Sequence, residues 1–303
     1  MKVKNFIILI GLAVGLNLIN SHRTLGETGM AFLKIGAGAR AAGLAEAVTA
    51  SVDDATATYW NPAGLAQIKN TEIIFSHNRW IQDINHEFFA IAFRTGKMHW
   101  GFSLNSMNVG EIERRFKPTE EPIGTFAAHD IALGLSLARQ VSNSLRIGLT
   151  GKYIYERIYI ESAPGLAVDF GLNYQPTFLD GLQVGAVVQN LGFTSKLKNE
   201  SIKLPQIFRA GLAYGTPSFI GNRVLGAIDV IQVLDGDFHL NTGIEWRVRE
   251  GFALRVGYQT GWEEKGLHTG LGIHLSRYAV DYAYTPFTAN LGNSHRFTFR
   301  LSL

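Results

Sequence analysis

The chain has 303 residues and a formal net charge of +3, and its lysines and arginines are spread along the sequence rather than gathered in a tract that would bind nucleic acid. Cysteine is absent, which excludes a disulfide framework, a thiolate metal site and a cysteine nucleophile. The mean hydropathy is near neutral. After the N-terminal segment there is no apolar run of the ~20 residues that a membrane-spanning helix needs. These features exclude a helical membrane protein and leave strand-built folds open.

The N-terminal segment has the features of an export signal. Lys2 and Lys4 give it a positive start, and an apolar stretch follows over residues 6–16, which is too short to cross a bilayer as a helix. We expect a signal peptide over residues 1–26, with a short membrane anchor as the alternative. No Ala-x-Ala cleavage signal occurs between residues 18 and 28, so the boundary is not defined by the sequence.

Residues 27–70 show no alternation of apolar and polar residues and are expected to form a short N-terminal helical plug or hatch segment. The alanine-rich stretch Ala39–Ala50 suits a short helix. Asp53 is placed to cap a second helix, because a carboxylate accepts backbone N–H bonds at a helix start. Asn61 is likewise placed to cap a helix, and Pro62 after it fits the first helical position. Capping is the favoured role of these residues, and ligand binding is the alternative.

From about residue 71 onward, apolar and polar residues alternate with a period of two. In residues 238–248 one face carries Phe238, Leu240, Ile244 and Trp246, and the other carries His239, Asn241, Glu245 and Arg247. Such alternation indicates strands of a sheet with one apolar face. Fourteen candidate strands can be placed, at residues 73–80, 87–95, 98–107, 129–139, 144–156, 165–174, 182–190, 207–215, 223–233, 237–248, 251–260, 266–276, 277–285 and 294–303.

The polar face indicates which way these strands point. It carries Arg, Lys, Glu, His and many glycines on one strand after another, which suits a water-lined or plugged lumen better than the surface of a soluble β-protein. Tyrosine and tryptophan recur near strand ends, as interfacial girdles require. Short turns alternate with expected long loops at residues 108–127, 157–164, 191–206 and 261–265. We therefore predict an all-β membrane protein, an antiparallel transmembrane β-barrel of about 14 strands over residues 71–303.

Two groups of motifs carry a resemblance to a known family. Residues 32–43, 53–55 and 60–66 resemble the N-terminus of the PorV/PorQ family, and residues 189–192, 208–212, 253–258, 281–284 and 291–297 agree with it. The Asn-Pro-Ala-Gly-Leu stretch from Asn61 is also similar to the hatch motif of long-chain fatty-acid transporters of the outer membrane. The resemblance implies a fourteen-stranded barrel with an N-terminal segment near or inside the lumen. The motif residues are Gly36, Gly38, Arg40, Asp53, Asp54, Trp60, Asn61, Pro62 and Gly64.

The resemblance implies one of two activities in the bacterial outer membrane after Sec-type export. The leading hypothesis is a secretion-associated (type IX-like) component that binds or shuttles cargo, with secreted proteins bearing C-terminal sorting domains or secretion-machinery subunits as partners. The alternative is a hatch-plugged transporter of hydrophobic small molecules such as fatty acids. A general porin is third. Outer-membrane lipid is an expected partner in each case, and nucleic acid in none.

The sequence contains no recognisable catalytic pattern, and no enzymatic activity, metal or cofactor is expected. Gly36-Ala37-Gly38 lacks the spacing of a dinucleotide-binding loop, and the chain has no His-Glu-x-x-His or Gly-x-Ser-x-Gly pattern. His268 and His274 would share one lumen-facing strand about 20 Å apart, too far for joint metal ligation. Lumen carboxylates are expected to pair with Arg247 and Arg255, and the candidates are Glu161, Asp169, Glu245 and Asp281.

Overall fold

The architecture is given by a computed structural model that describes residues 29–115, 121–197, 200–234, 236–249, 251–262 and 264–303. The expected signal peptide and the loop residue Phe116 lie outside these ranges. In the described part of the chain, no helix is both long enough and apolar enough to cross a membrane.

Within the described ranges, fourteen antiparallel strands close into a barrel, which confirms the predicted fold. Each barrel strand pairs with the next barrel strand along the chain, and the last pairs with the first to close the cylinder. Two further short strands of the described residues lie outside the barrel. The strands are β1 (Glu72–Arg79), β2 (Asn85–Thr95), β3 (Met98–Arg114), β4 (Gly124–Gln140), β5 (Leu145–Ile158), β6 (Glu161–Tyr174), β7 (Leu182–Thr194), β8 (Lys196–Leu197), β9 (Glu200–Ser201), β10 (Ile207–Gly215), β11 (Arg223–Val233), β12 (Phe238–Val248), β13 (Phe252–Thr260), β14 (Leu267–Leu275), β15 (Tyr278–Pro286) and β16 (Asn293–Ser302). Strands β8 and β9 form a separate two-stranded ribbon between β7 and β10.

The predicted apolar face of the strands points outward. On β12, Phe238, Ile244 and Trp246 are exposed, whereas His239 and Glu245 are buried in the lumen. The same alternation continues on the neighbouring strands. This arrangement fixes the register, because a one-residue slip would move a whole set of polar side chains to the lipid face.

Both ends of the barrel chain lie at one end of the cylinder. Glu72 starts β1 beside Ser302 of β16. We call this the terminal end and the other the opposite end. The terminal end has the turns 96–97, 141–144, 175–181, 216–222, 249–251 and 276–277, and the opposite end has the connections 80–84, 115–123, 159–160, 195–206, 234–237, 261–266 and 287–292. The connection 80–84 contains a 3-10 turn, Ile81–Asp83.

Two of the predicted long loops are wrong in extent. Strand β3 continues to Arg114 and β4 begins at Gly124, so most of residues 108–127 is strand. Strands β5 and β6 meet in a two-residue turn at Tyr159 and Ile160, so residues 157–164 are largely a hairpin. These strands have 14 to 17 residues, more than the 9–11 or so that cross a bilayer. The parts of these strands that extend beyond the lipid need no apolar outer face. The alternation of apolar and polar residues, from which the strands were predicted, is therefore weaker there.

The N-terminal residues 29–70, which we call the plug, fold inside the cylinder. The plug contains the 3-10 helix Ala31–Lys34, the α-helices Ala39–Gly43 and Ala57–Trp60, and the 3-10 helix Pro62–Gln67. Nearly all of its side chains between residues 30 and 66 are buried. The predicted helix over Ala39–Ala50 is too long. It ends at Gly43, because Ala45 and Glu46 take positive φ angles of 52° and 64°.

Candidate functional site

The plug has its own apolar core, centred on Trp60. The Trp60 indole is fully buried and donates from Nε1 to the carbonyl of Ala37 at 2.8 Å. Tyr59 packs edge-on against it at 4.8 Å and donates its hydroxyl to the carbonyl of Leu33 at 2.9 Å. The cluster continues into the barrel wall; its other members are Ala37, Ala41, Leu44, Val48, Val52, Ala55, Ala57, Leu65, Ala66, Ile68, Ile74, Phe88, Ala90, Ala92 and Ala138. The lumen is therefore filled by a packed apolar body at the level of the plug.

Asn61 caps the plug's last helix, as predicted, and also ties it to the barrel. Its Oδ1 accepts from the backbone N–H of Ala63 at 3.1 Å, and Pro62 occupies the first helical turn. Its Nδ2 donates to the carbonyls of Thr49, at 2.8 Å, and Leu172 of β6, at 3.1 Å. This close approach requires Gly171 on β6, because a Cβ there would collide with Asn61 Oδ1 and with the Pro62 ring.

The predicted capping role of Asp53 is wrong. The residue before the helix Ala57–Trp60 is Thr56, and no side chain caps that helix. Asp54 instead accepts from the backbone N–H of Thr56 at 2.9 Å and from its hydroxyl, closing a local turn. Asp53 points away, is half-exposed, and pairs with Arg40 at 3.0 Å. Adjacent acidic residues offer the same chemistry, and the sequence did not show which of them faces the turn.

The three motif glycines lie inside the plug at close contacts. Gly38 takes a φ of 83° just before the helix Ala39–Gly43, a conformation that favours glycine. Gly36 packs against the ring of Trp60 and the carboxyl group of Glu46. Gly64 packs against the backbone of Val52. The structure therefore brings all nine motif residues together in one body, within which they make packing and capping contacts.

An ion network joins the plug to the barrel near the terminal end. Arg40 donates to the carboxylate of Glu245 on β12 at 3.1 Å, and Arg255 on β13 donates to the same oxygen at 2.7 Å. Arg255 also contacts Asp281 on β15 at 2.6 Å, and Arg247 contacts Glu245 at 3.0 Å. The predicted pairing of Glu245 and Asp281 with Arg247 and Arg255 is thus confirmed, and Arg40 adds the plug to it.

The other two predicted lumen carboxylates differ from each other. Asp169 is fully buried and pairs with Lys152 at 2.7 Å. Glu161 is the first residue of β6, beside the hairpin turn at the opposite end. Glu161 was predicted as a lumen charge paired with arginine or lysine, but it lies at the end of the barrel, because the strand begins earlier than the alternation showed.

One aspartate and three amide side chains of the barrel hold the plug backbone, and sequence reasoning missed their role. Asp229 accepts from the N–H and the hydroxyl of Thr49 at 2.9 and 2.6 Å. The amide groups of Asn173, Gln189 and Gln259 donate to plug carbonyls at 2.7, 2.6 and 3.0 Å. The sequence did contain a signal for this role, because amide side chains recur on the predicted lumen face of the strands. An open aqueous channel would tolerate any polar residue at these positions.

A polar cavity of about 250 Å³ lies between the plug and the barrel at the terminal end. It is lined by Arg40, Asp53, Gln67, Ile68, Lys69, Asn70, Glu72, Arg247, His274, Asp281 and Arg300. Among the described residues, no group of three or more His, Asp or Glu side chains is arranged to hold a metal ion.

Two sequence comparisons find proteins similar to this chain. The model of an uncharacterised protein family, UPF0164, matches residues 12–136. A UPF0164 protein of Treponema pallidum (strain Nichols) is 28% identical over 175 residues, which is 54% of this chain and 44% of that protein. The match thus spans less than half of the relative's length.

Solved structures share the whole barrel. A monoaromatic hydrocarbon channel, CymD, superposes with a TM-score of 0.63 at 13% identity and covers 88% of this chain and 98% of its own. The toluene transporter TodX of Pseudomonas putida gives 0.60 at 12% identity, covering 85% and 95%. A FadL homologue of Pseudomonas aeruginosa gives 0.53 at 11% identity, covering 87% and 97%. The fold of this chain, a closed barrel of fourteen strands in the described residues, is thus similar to that of these outer-membrane channels.

Proposed function

We propose that this protein is a channel of the bacterial outer membrane for hydrophobic small molecules, such as fatty acids or hydrocarbons, and that its plug governs their passage. The observation that carries the proposal is a closed barrel whose lumen is filled by a packed, apolar-cored plug. A general porin needs an open aqueous lumen, so this filling favours a gated, selective channel over the porin hypothesis. The shared fold with hydrocarbon channels supports the same choice.

The way the plug is attached supports a part that can move. Apart from the peptide link into β1, it is held by side-chain hydrogen bonds, by the Arg40–Glu245 ion pair and by apolar packing against the wall, with no disulfide. Single hydrogen bonds of this type contribute only ~0.5–1.5 kcal/mol each. The nine motif residues serve in this proposal to build the plug and fix it against the barrel wall, rather than to contact a ligand.

The proposal includes the order of parts along the chain. Residues 1–26 act as a signal peptide for Sec-type export, residues 27–70 form the hatch, and residues 71–303 form the barrel in contact with outer-membrane lipid. Detection of the processed chain in the outer-membrane fraction, with its N-terminus determined by mass spectrometry, tests this order.

A disulfide that locks the plug tests its role in passage. Ala42 in the plug packs against Ala283 of β15 in one small buried cluster. The chain has no cysteine of its own, so Ala42→Cys with Ala283→Cys introduces one defined pair. Cells of a Gram-negative host expressing this variant should take up radiolabelled decanol when the cysteine pair is reduced. When the pair is oxidised, their decanol uptake should fall to that of cells without the protein.

The single variant Ala283→Cys is the matched control, since oxidation should leave its uptake unchanged. Maleimide labelling reports whether the disulfide has formed. Equal uptake in the oxidised and reduced states of the double variant would show that the plug does not govern passage.

The secretion-associated hypothesis predicts a different result. It rests on the resemblance of the N-terminal and later motifs to the PorV/PorQ family, and it requires protein partners. Purification from native membranes in mild detergent should then recover secreted proteins with C-terminal sorting domains. The channel proposal expects bound apolar molecules and no such partner.

A further inference from the structure

Three lumen cations near the opposite end of the barrel lack acidic partners. Arg209 is the third residue of β10, Arg296 the fourth of β16, and Lys265 lies in the connection between β13 and β14. All three are at least nine-tenths buried. We call them the unpaired cations, because none of them forms an ion pair with a carboxylate among the described residues.

The lumen cations farther down the barrel behave differently. Arg40, Arg255 and Lys152 each contact at least one carboxylate, at 2.6 to 3.1 Å. Burying a charge without a partner is costly, so a folded protein normally pairs such groups or uses them. Arg146, near the terminal end, bonds the amide oxygens of Asn173 and Gln175 instead of a carboxylate, but it is less deeply buried. The depth at which the unpaired cations are buried without an ion pair points to a ligand.

Buried donor atoms near the unpaired cations also lack partners within the described part of the chain. They include Nε and Nη1 of Arg296 and Nη1 of Arg209. The indole N–H of Trp262, beside Lys265, is a further unpartnered donor. Unpartnered buried polar groups are rare in folded proteins and call for an explanation such as a bound ion or ligand. Since arginine and indole groups can only donate, the group that satisfies them must be an acceptor.

One acidic side chain of the plug faces this region. Glu46 is buried and forms no ion pair with the unpaired cations. Burial alone would raise the pKa of its carboxyl group, but the charges of the unpaired cations outweigh this and hold the pKa below its usual range. Glu46 thus stays negative and offsets part of the positive charge. Glu264, next to Lys265, and Asp229, near Arg209, are further carboxyl groups close to the unpaired cations, but neither forms an ion pair with them among the described residues.

Aromatic rings border the unpaired cations. The Arg209 guanidinium lies 4.9 Å from the Trp60 ring, and the Lys265 ammonium lies 4.4 Å from the Trp262 ring and 5.7 Å from Trp80. Trp60 is fully buried, whereas Trp262 and Trp80 are partly exposed, so the latter two offer apolar surface beside the charge of Lys265. A ligand bound here would therefore meet positive charge and apolar surface together, as an amphipathic molecule requires.

We propose that Arg209, Lys265 and Arg296 form a head-group site for an anionic amphiphile, in which an alkyl carboxylate accepts from the buried donors while its tail lies on the rings of Trp80 and Trp262. This rests on the proposed channel function and names the class of molecule that the channel takes. Charge-assisted hydrogen bonds of this kind fix orientation as well as strength. Glu46 opposes the site, because it repels the same head group.

Isothermal titration of the purified full-length barrel in a nonionic detergent tests the site with two probes of equal tail length. Decanoate should bind more tightly than decanol. Arg296→Gln should weaken decanoate binding about tenfold, because it removes charged donors, and should change decanol binding by less than about twofold. Glu46→Gln should strengthen decanoate binding, since it removes a repelling charge. Arg139→Gln, at an exposed position near the terminal end of β4, is the control and should change neither.

The outcomes separate the two proposals. If the unaltered protein binds neither probe, the channel function itself fails. If both probes bind but neither Arg296→Gln nor Glu46→Gln changes the decanoate-to-decanol ratio, the head-group site is wrong while the channel function stands. Acetate serves as a third probe that has a carboxylate but no alkyl tail. If acetate binds as tightly as decanoate, the site is a simple anion site and the proposal of an amphiphile site is wrong. Arg209→Gln serves as the second variant should Arg296→Gln fail to fold.

Discussion

Single residues decide how closely the plug meets the barrel wall. Asn61 caps a plug helix, bonds the plug backbone and reaches the carbonyl of Leu172 on β6. It can do so only because Gly171 leaves room. The Asn-Pro part of the sequence motif therefore has a structural cause at atomic scale, which is the fit of one amide against one glycine of the wall.

Adding a methyl group at this contact should disturb it. In Gly171→Ala the new Cβ would collide with Asn61 Oδ1, and overpacking of this kind costs ~1–3 kcal/mol. We expect a lower melting temperature in detergent and faster protease cleavage within the plug. Gly151→Ala on β5 is the matched control, since a Cβ there meets no atom within 4 Å. Equal stability of the two variants would contradict the described contact.

The lipid-facing assignment can be tested on a single strand. Val256 and Thr260 lie on the same outward face of β13, Val256 within the strand and Thr260 at its end. Val256→Arg should destabilise the folded barrel by ~2–4 kcal/mol, because it places a charge at depth in the hydrocarbon. Thr260→Arg should cost at most ~1 kcal/mol near the interface. Folding titrations into lipid vesicles measure both values, and similar costs for the two would argue against the membrane orientation.

At the scale of elements, the plug is fastened to β12 by one carboxylate. Glu245 receives Arg40 from the plug and Arg255 and Arg247 from the barrel. Its side chain is 4% exposed, whereas that of Arg247 is 29% exposed. The carboxylate is therefore the centre of the attachment, and Arg247 lies at its edge.

Removing the central charge should loosen the plug more than removing the peripheral one. Glu245→Gln leaves buried arginines with less negative charge, and breaking a buried pair in this way costs ~3–5 kcal/mol. Arg247→Gln should cost less than ~1 kcal/mol, because its guanidinium is partly solvated. Limited proteolysis of the plug and thermal melts at equal detergent concentration compare the two. A larger effect for Arg247→Gln would contradict this account of the attachment.

The sequence predicted the barrel strands better than the plug for a physical reason. Strands in lipid must alternate, so residues 238–248 and 294–303 could be placed within about one residue of β12 and β16. The extensions of β3 and β4 beyond the lipid need no alternation and were predicted as loop. The helix over Ala39–Ala50 was predicted from alanine content, but the chain turns at Ala45 to follow the barrel wall. Local propensity carries no information about that wall.

For the molecule as a whole, the charge distribution in the lumen is asymmetric. Ion pairs join plug and barrel near the terminal end, and the unpaired cations lie near the opposite end. The sequence showed which strands carry the charges, because the alternation predicted the lumen face. It predicted the pairing of lumen carboxylates with Arg247 and Arg255, but not that the plug would join them, since Arg40 and Glu245 lie 205 positions apart. The head-group site was missed for the same reason.

The central claim is that the barrel passes apolar molecules and excludes polar ones. The most direct measurement is uptake by a Gram-negative host, with and without the protein, of two labelled probes of similar size: decanol and a hydrophilic sugar. The account predicts faster decanol uptake when the protein is present and unchanged sugar uptake. A rise in sugar uptake equal to that of decanol would indicate an open pore, and no rise in either would contradict a channel function.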